Sequence, residues 1–184
     1  MPRLFNLRAP LFNMSKMLVV TGPESTGKSV LAEALGRALD APVAPEFARH
    51  YLSHLNRPYG QADLKTIARG QSRWIAHYRK QASEWLVVDT DWTVLQVWEA
   101  FKFRPAQFHW PKGYGAIETP YLYLLCAPDF PWAPDPLREH PESRAELFSW
   151  YQNVLLQAPC PTLVLYGSVE ERLTTVMKAL RPGW

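Results

Sequence analysis

Short apolar runs alternate with longer amphipathic stretches along most of the chain. The runs predict buried strands, of which the second is weak, at 17–21, 41–45, 85–89, 121–126 and 162–166. Apolar side chains recur at helical spacing between them, which predicts helices at 28–39, 47–55, 62–85 and 169–180. Such alternation is typical of βαβ units, so we expect a three-layer α/β domain with a parallel sheet and right-handed crossovers.

The composition fits one globular domain and excludes several classes of protein. The chain has 184 residues, 47% of them hydrophobic, and a net charge of +3 that is too small to indicate a nucleic-acid partner. Cys126 and Cys160 show neither zinc-site nor disulfide-framework spacing, so we expect a reducing, cytoplasmic location. No apolar run approaches the roughly 18 residues of a membrane span, so no membrane partner is expected.

Two segments depart from the alternating pattern. Residues 1–16 carry basic but no acidic side chains and lack a signal-peptide core, so we expect a flexible extension before a domain at 17–184. Ten of the 17 prolines lie within 105–161. This long irregular region predicts a lid at about 129–144, although a plain surface connection would have the same composition.

The turn after the first strand carries the clearest chemistry. It reads GPESTGKS and satisfies G-x-x-x-x-G-K-[ST] between a buried strand and a helix. Its backbone N–H groups and the helix N-terminus favour phosphate, Lys28 suits the β- and γ-phosphates, and the Ser29 hydroxyl suits Mg²⁺. The predicted nucleotide-binding residues are Gly22, Pro23, Glu24, Ser25, Thr26, Gly27, Lys28, Ser29 and Val30.

A second metal ligand is expected where a neighbouring strand ends. Asp89 closes the run WLVVD and so occupies the Walker B position, where a carboxylate holds the Mg²⁺ shell and can approach an acceptor hydroxyl. Asp89 and Asp91 are also good helix N-caps, so a capping role stays open for both.

The remaining sequence narrows the class of P-loop protein. No N-K-x-D guanine motif occurs, which argues against a GTPase, and residues 90–184 are too few for the extra lid domain of a hexameric ATPase. Glu46, after the second strand, and the arginine-bearing segment 129–144 favour a kinase of a small hydroxylated molecule. The predicted fold is therefore the P-loop NTPase fold, with a five-stranded parallel sheet of order 2-3-1-4-5.

Six blocks together resemble a known family. GPESTGKS, EFARHYL, DLKTIARGQ, VVDTD, DFPWAPDPLR and YGSVEERL occur in this order within residues 17–180. They resemble the ribosylnicotinamide kinase domain at the C-terminus of bacterial trifunctional NAD-salvage regulators. The chain has no room for the adenylyltransferase and helix-turn-helix domains of those regulators, so we expect a stand-alone kinase.

The resemblance implies that ATP phosphorylates the 5′-hydroxyl of nicotinamide riboside to give nicotinamide mononucleotide. It places Glu46 and Arg49 at the acceptor, with Glu46 binding ribose hydroxyls, and leaves open whether Asp89 or Glu46 is the general base. A surface ion pair between Glu46 and Arg49 is the alternative.

The resemblance also assigns residues to the donor. Arg138 and Arg144 would reach from the lid to the transferring phosphoryl group, where a cation stabilises the transition state. Either arginine could instead be a solvated lid charge. Gly167 and Ser168, after the last strand, would contact adenine.

One position departs from the family pattern. Pro45 stands where the relatives commonly carry a tryptophan that stacks on the pyridine ring. Trp98 and Phe101 lie on one helical face beyond Asp89, and we predict that they supply the stacking surface instead. Aromatic residues at this spacing also form cores, so a core role is the alternative. Asp91 is also predicted to contact the substrate. A kinase of another nucleoside or small alcohol, or a non-catalytic nucleotide switch, therefore stays possible; ATP against GTP preference and oligomeric state are open.

Overall fold

The apolar runs form one parallel sheet in the computed structural model, which describes residues 15–103 and 119–181. Its strands are β1 (Lys16–Thr21), β2 (Val43–Ala44), β3 (Trp85–Asp89), β4 (Leu122–Cys126) and β5 (Thr162–Leu165). They lie in the order β2-β3-β1-β4-β5, and every pairing is parallel. The predicted fold class and strand order are confirmed.

Helices connect the strands. They are α1 (Lys28–Leu39), α2 (Phe47–Ser53), α3 (Gln61–Arg79), α4 (Trp92–Lys102), α5 (Arg144–Leu155) and α6 (Val169–Ala179). The predicted helical stretch 62–85 is too long at its C-terminal end. Helix α3 ends at Arg79 because the N–H groups of Gln81 and Ala82 bond back over three residues, to Tyr78 O (3.0 Å) and Arg79 O (3.1 Å), before the chain enters β3.

Two apolar layers enclose the sheet because successive strand residues face opposite sides. In β1, Val19 faces a core shared with α3, α4 and α5, whereas Leu18 and Val20 face a core shared with α1 and α6. This alternation gives the three-layer arrangement. None of the helices in the described ranges combines the length and apolar character that crossing a membrane requires.

The carboxyl ends of the central strands meet at one edge of the sheet. Val20 of β1 pairs in register with Asp89 of β3 and with Leu124 of β4. The segments that follow these strands therefore leave from the same edge, which is where open α/β sheets bind ligands. Residues 1–14 of the expected extension lie outside the described residues, and Lys16 already belongs to β1.

Candidate active site

The P-loop follows β1 and depends on two glycines. Gly22 has φ +134°, and a Cβ there would lie 2.6 Å from Cys126 O, so a larger residue would collide with β4. Gly27 has φ +75° and is the N-cap of α1. The left-handed conformation is accessible to glycine without a Cβ clash. Within the loop, Lys28 Nζ donates to Pro23 O (2.6 Å), which holds the ammonium against the loop.

Glu46 lines a pocket together with the P-loop. It is the N-cap of α2, yet its side chain makes no capping hydrogen bond. Buried Gln71 of α3 binds this helix start instead: its Oε1 accepts from Phe47 N (2.7 Å), and its Nε2 donates to Pro45 O (3.1 Å). The Glu46 carboxylate is thereby left for the pocket.

Burial changes the ionisation of two carboxyl groups, that of Glu46 in the pocket lining and that of Asp89, which is not among the lining residues. Desolvation raises the pKa of Glu46 from 4.5 to about 7, against the lowering effect of the Lys28 ammonium. Burial also raises the pKa of Asp89, and a hydrogen bond from Ser29 lowers it in part. Asp89 Oδ1 is buried and has no hydrogen-bond partner among residues 15–103 and 119–181. A buried polar atom of this kind suits a further ligand.

The segment from 129 to 144, here called the lid segment, lies on the P-loop. Glu24 Oε2 accepts from the backbone N–H groups of Glu139 (3.0 Å) and His140 (3.2 Å). Ser25 Oγ accepts from Ala133 N (2.9 Å) and donates to Pro131 O (3.3 Å). The two P-loop side chains therefore anchor both halves of the lid segment.

Three arginines join the lid segment to the site. Arg49 of α2 donates to Asp135 Oδ2 (2.9 Å), and Arg138 lines the pocket while donating to Ala133 O. Arg144 lies at the back, where its Nη1 donates to Phe130 O (2.8 Å) and Ser25 O (3.3 Å). Arg144 is not among the residues lining the pocket.

Apolar side chains form one wall of the same pocket. Half-buried Trp98 contributes one of its rings, and Tyr151 of α5 contributes the other. The aliphatic side chains of the wall are Leu52, Val94, Leu137 and Leu147. A nucleoside base could rest on these rings while its sugar faces Glu46 and Arg49.

The pocket thus brings together most of the predicted site residues. Its lining includes the whole P-loop from Gly22 to Val30 with Glu46, Arg49, Trp98 and Arg138. Phe101 is elsewhere, packed edge-on against His140 (5.0 Å) and Trp150 (6.2 Å).

Three other predicted contacts lie away from the pocket lining. Asp91 is buried as the N-cap of α4, accepting from Thr93 N (3.0 Å) and Tyr123 OH (2.8 Å), so its carboxylate is held within the protein. Gly167 donates its N–H to Asp129 Oδ2 (2.6 Å), and Ser168 is the N-cap of α6.

Sequence reasoning missed Tyr151 and Arg172. Tyr151 lies in α5, a helix that the pattern did not delimit, and its aromatic neighbours in the sequence gave no sign of which ring faces the pocket. Arg172 is fully buried on α6, where the apolar residues at helical spacing, which predict the inward face, are Leu173, Val176, Met177 and Leu180. No local signal distinguishes a buried arginine from a surface one.

The comparisons with known proteins bear on the family and the fold. The family model described as an AAA domain matches residues 17–172. The chain belongs to this family. This AAA domain is also similar, over 91 residues (44% of the chain and 30% of the relative) at 30% identity, to the tRNA dimethylallyltransferase of Mycoplasmoides gallisepticum.

Solved structures resemble the AAA domain over nine-tenths of its length. The NadR protein in complex with NR has a TM-score of 0.74 and 23% identity, with 91% of this chain and 51% of that chain covered. The NadR protein in complex with NAD and AMP-PNP has a TM-score of 0.73 and 22% identity, with 91% of this chain and 49% of that chain covered. The thymidylate kinase of Ehrlichia chaffeensis has a TM-score of 0.66 and 11% identity, with 91% of this chain and 99% of that chain covered.

These structures share the fold of the chain, which spans about half the length of the NadR chains. The resemblance to the NadR-type kinase domain is thereby confirmed at the level of the fold. The fold is the P-loop NTPase fold that the sequence predicts.

Proposed function

We propose that this AAA domain is an ATP-dependent kinase that phosphorylates the 5′-hydroxyl of nicotinamide riboside to give nicotinamide mononucleotide. The observation that carries the proposal is that one pocket is lined by the P-loop, by Glu46 and Arg49, and by the Trp98 ring. A phosphate site, a hydroxyl-binding carboxylate and a base platform are what a nucleoside kinase needs in one place.

The donor would lie on the P-loop. The N–H groups of Gly27 and Lys28 at the start of α1 favour the phosphates, and the Lys28 ammonium would move from Pro23 O to the β- and γ-phosphates. Arg138, which lines the pocket from the lid segment, would stabilise negative charge on the transferring group.

Ser29 and Asp89 are the residues that would hold Mg²⁺. The unpartnered, buried Oδ1 of Asp89 and the Ser29 hydroxyl beside it supply the oxygen ligands that Mg²⁺ prefers. When bound, the ion neutralises phosphate charge.

The acceptor would lie between Glu46 and Trp98. Glu46 has a pKa of about 7, so near neutral pH a large fraction is ionised and can accept the proton of the 5′-hydroxyl. Asp89 is the alternative general base. Its charge contributes to the raised pKa of Glu46, so the two carboxyl groups lie close enough to serve the same acceptor. Arg49, held by Asp135, would fix the sugar beside Glu46.

The Trp98 ring supports the choice of base. Nicotinamide riboside carries a cationic pyridinium, which is favoured over an aromatic face by about 0.5–2 kcal/mol. Tyr151 and Leu147 line the same pocket and would complete an apolar environment around the pyridinium ring. We infer that Trp98 takes the place of the tryptophan that Pro45 replaces.

A screen of acceptors tests the proposal. The full chain is assayed for ADP release from ATP with Mg²⁺, using nicotinamide riboside and the common nucleosides in turn, with Lys28→Ala as the inactive control. We expect nicotinamide riboside to give the highest kcat/KM. Acceleration by a different nucleoside would replace the substrate and keep the kinase. ATP consumption unaffected by every acceptor would favour the non-catalytic switch.

A further inference from the structure

Arg172 is a charged side chain in an unusual position. It belongs to the first turns of α6, has no exposed surface, and its only ion-pair partner in the described part of the chain is Asp129. Its Nε has no acceptor within residues 15–103 and 119–181. Burying a cation with an unsatisfied N–H is unfavourable for stability, so a role besides packing is expected.

The guanidinium joins three segments around the P-loop. Its Nη1 donates to Thr26 O of the P-loop (2.6 Å), and its Nη2 donates to Ala127 O (3.0 Å) and to Asp129 Oδ1. These acceptors lie 146, 45 and 43 positions away in the sequence. One planar fork therefore fixes the P-loop, the end of β4 and the start of the lid segment relative to α6.

The contact to Thr26 O controls where the P-loop points its donors. The C=O of Thr26 and the N–H of Gly27 belong to one planar trans peptide and point in opposite directions. Because Arg172 holds the carbonyl on the protein side, the Gly27 N–H is turned the other way, away from the guanidinium. Hydrogen bonding to a cation also polarises this peptide and strengthens its N–H as a donor.

Asp129 and Phe130 connect the same arrangement to the turn after β5 and to the P-loop. Asp129 Oδ2 accepts from Gly167 N (2.6 Å), so the residue that pairs with Arg172 also holds the turn between β5 and α6. The Phe130 ring lies 4.6 Å from the guanidinium carbon and packs against Gly27. The base of the lid segment thus contacts both Arg172 and the P-loop residue Gly27.

The start of α6 is itself fixed, so Arg172 is held in place. Ser168 and Glu171 form a reciprocal capping box, with Glu171 N donating to Ser168 Oγ (3.3 Å) and Ser168 N donating to Glu171 Oε2 (2.7 Å). A cap of this kind orders the first turn of a helix.

We propose that Arg172 is a positioning residue for the donor nucleotide, holding the Thr26–Gly27 peptide and the base of the lid segment in the orientation that binds phosphates. This inference rests on the ATP binding of the proposed function. Arg172 lines no part of the pocket itself and acts through the P-loop backbone.

Binding of MgATP to the full chain without acceptor tests the inference. Arg172→Lys keeps the charge but not the planar fork, and Arg172→Met removes both at similar length. We expect the Kd for MgATP to rise by roughly 10- to 100-fold in Arg172→Met, the equivalent of one or more charge-assisted hydrogen bonds, and by less in Arg172→Lys. The matched control is Thr175→Ala, an exposed position on the same helix.

The KM values separate positioning from packing. Positioning predicts a higher KM for ATP with the KM for the acceptor nucleoside unchanged. A role in packing alone would lower the thermal midpoint, while the folded molecules bound MgATP like the parent; that result would overturn the inference. If both Arg172 variants fail to fold, Asp129→Asn removes the partner charge, and an unchanged Kd for MgATP there would overturn it equally.

The proposed function can fail separately. A parent protein that binds MgATP but phosphorylates no acceptor would contradict the kinase, while the variant Kd values would still decide the role of Arg172. A parent that does not bind MgATP would contradict both.

Discussion

Replacing Glu46 by glutamine is expected to stabilise the protein and to inactivate it. Raising the pKa of this carboxyl from 4.5 to about 7 means that the folded state binds the proton more tightly than the unfolded state. Ionising Glu46 therefore destabilises the fold, and the loss develops as the pH rises from about 4.5 to about 7. One pKa unit corresponds to 1.36 kcal/mol, so the penalty at pH 8 is up to about 3 kcal/mol.

Urea unfolding of parent and Glu46→Gln at pH 5, 6, 7 and 8 measures this penalty. The amide carries no charge, so the free energy of unfolding of the variant should increasingly exceed that of the parent as the pH rises. The difference should reach up to about 3 kcal/mol at pH 8. Glu84→Gln, at an exposed carboxylate, is the control and should show no comparable gain. A stability difference for Glu46→Gln that did not change with pH would refute the assignment of a raised pKa.

The same variant tests the role of Glu46 in transfer. A general base must be ionised, so kcat/KM of the parent should rise with pH and level off above about 7. Glu46→Gln should lose this rise and about 10²- to 10⁴-fold in rate. If the variant kept the parent's pH profile, Asp89 would be the better candidate for the base.

Four further substitutions test the P-loop lysine, the proposed Mg²⁺ ligand and the two predicted aromatic contacts. Lys28→Ala should reduce phosphoryl transfer by several orders of magnitude with the fold intact by circular dichroism; turnover within about tenfold of the parent would contradict a P-loop kinase. Asp89→Asn should raise the Mg²⁺ requirement and lower kcat more than it weakens ATP binding, and an unchanged Mg²⁺ titration would leave Asp89 a purely structural role. Trp98→Ala should raise the KM for nicotinamide riboside by roughly 3- to 30-fold with the KM for ATP unchanged, whereas Phe101→Ala should mainly lower the thermal midpoint; equal effects on both KM values would contradict stacking.

The parts of the molecule that depend on local sequence were predictable. β3 runs from Trp85 to Asp89 as expected, because an unbroken apolar run of five residues suits a strand buried on both faces. The P-loop was equally predictable, because its glycine-containing motif lies between an apolar run typical of a strand and a stretch with helical spacing. The strand order followed from the fold class that this motif indicates.

Contacts between distant segments were not predictable. Gln71 accepts the hydrogen bond from the start of α2, 24 positions away in the sequence, and so leaves the Glu46 carboxylate in the pocket. Glu24 binds the lid segment across 115 positions. Asp91 shows the opposite case: a carboxylate beside the site is used as a cap, and the hydroxyl of Tyr123 that completes its environment comes from another strand. Periodicity carries no information on such partners.

Transfer of a labelled γ-phosphoryl group tests the central claim most directly. The full chain is incubated with γ-labelled ATP, Mg²⁺ and either nicotinamide riboside or its 5′-deoxy analogue, and the products are separated by mass. We expect label in nicotinamide mononucleotide with the riboside and none in a nucleotide product with the 5′-deoxy analogue. Label recovered only as inorganic phosphate in both reactions would contradict it.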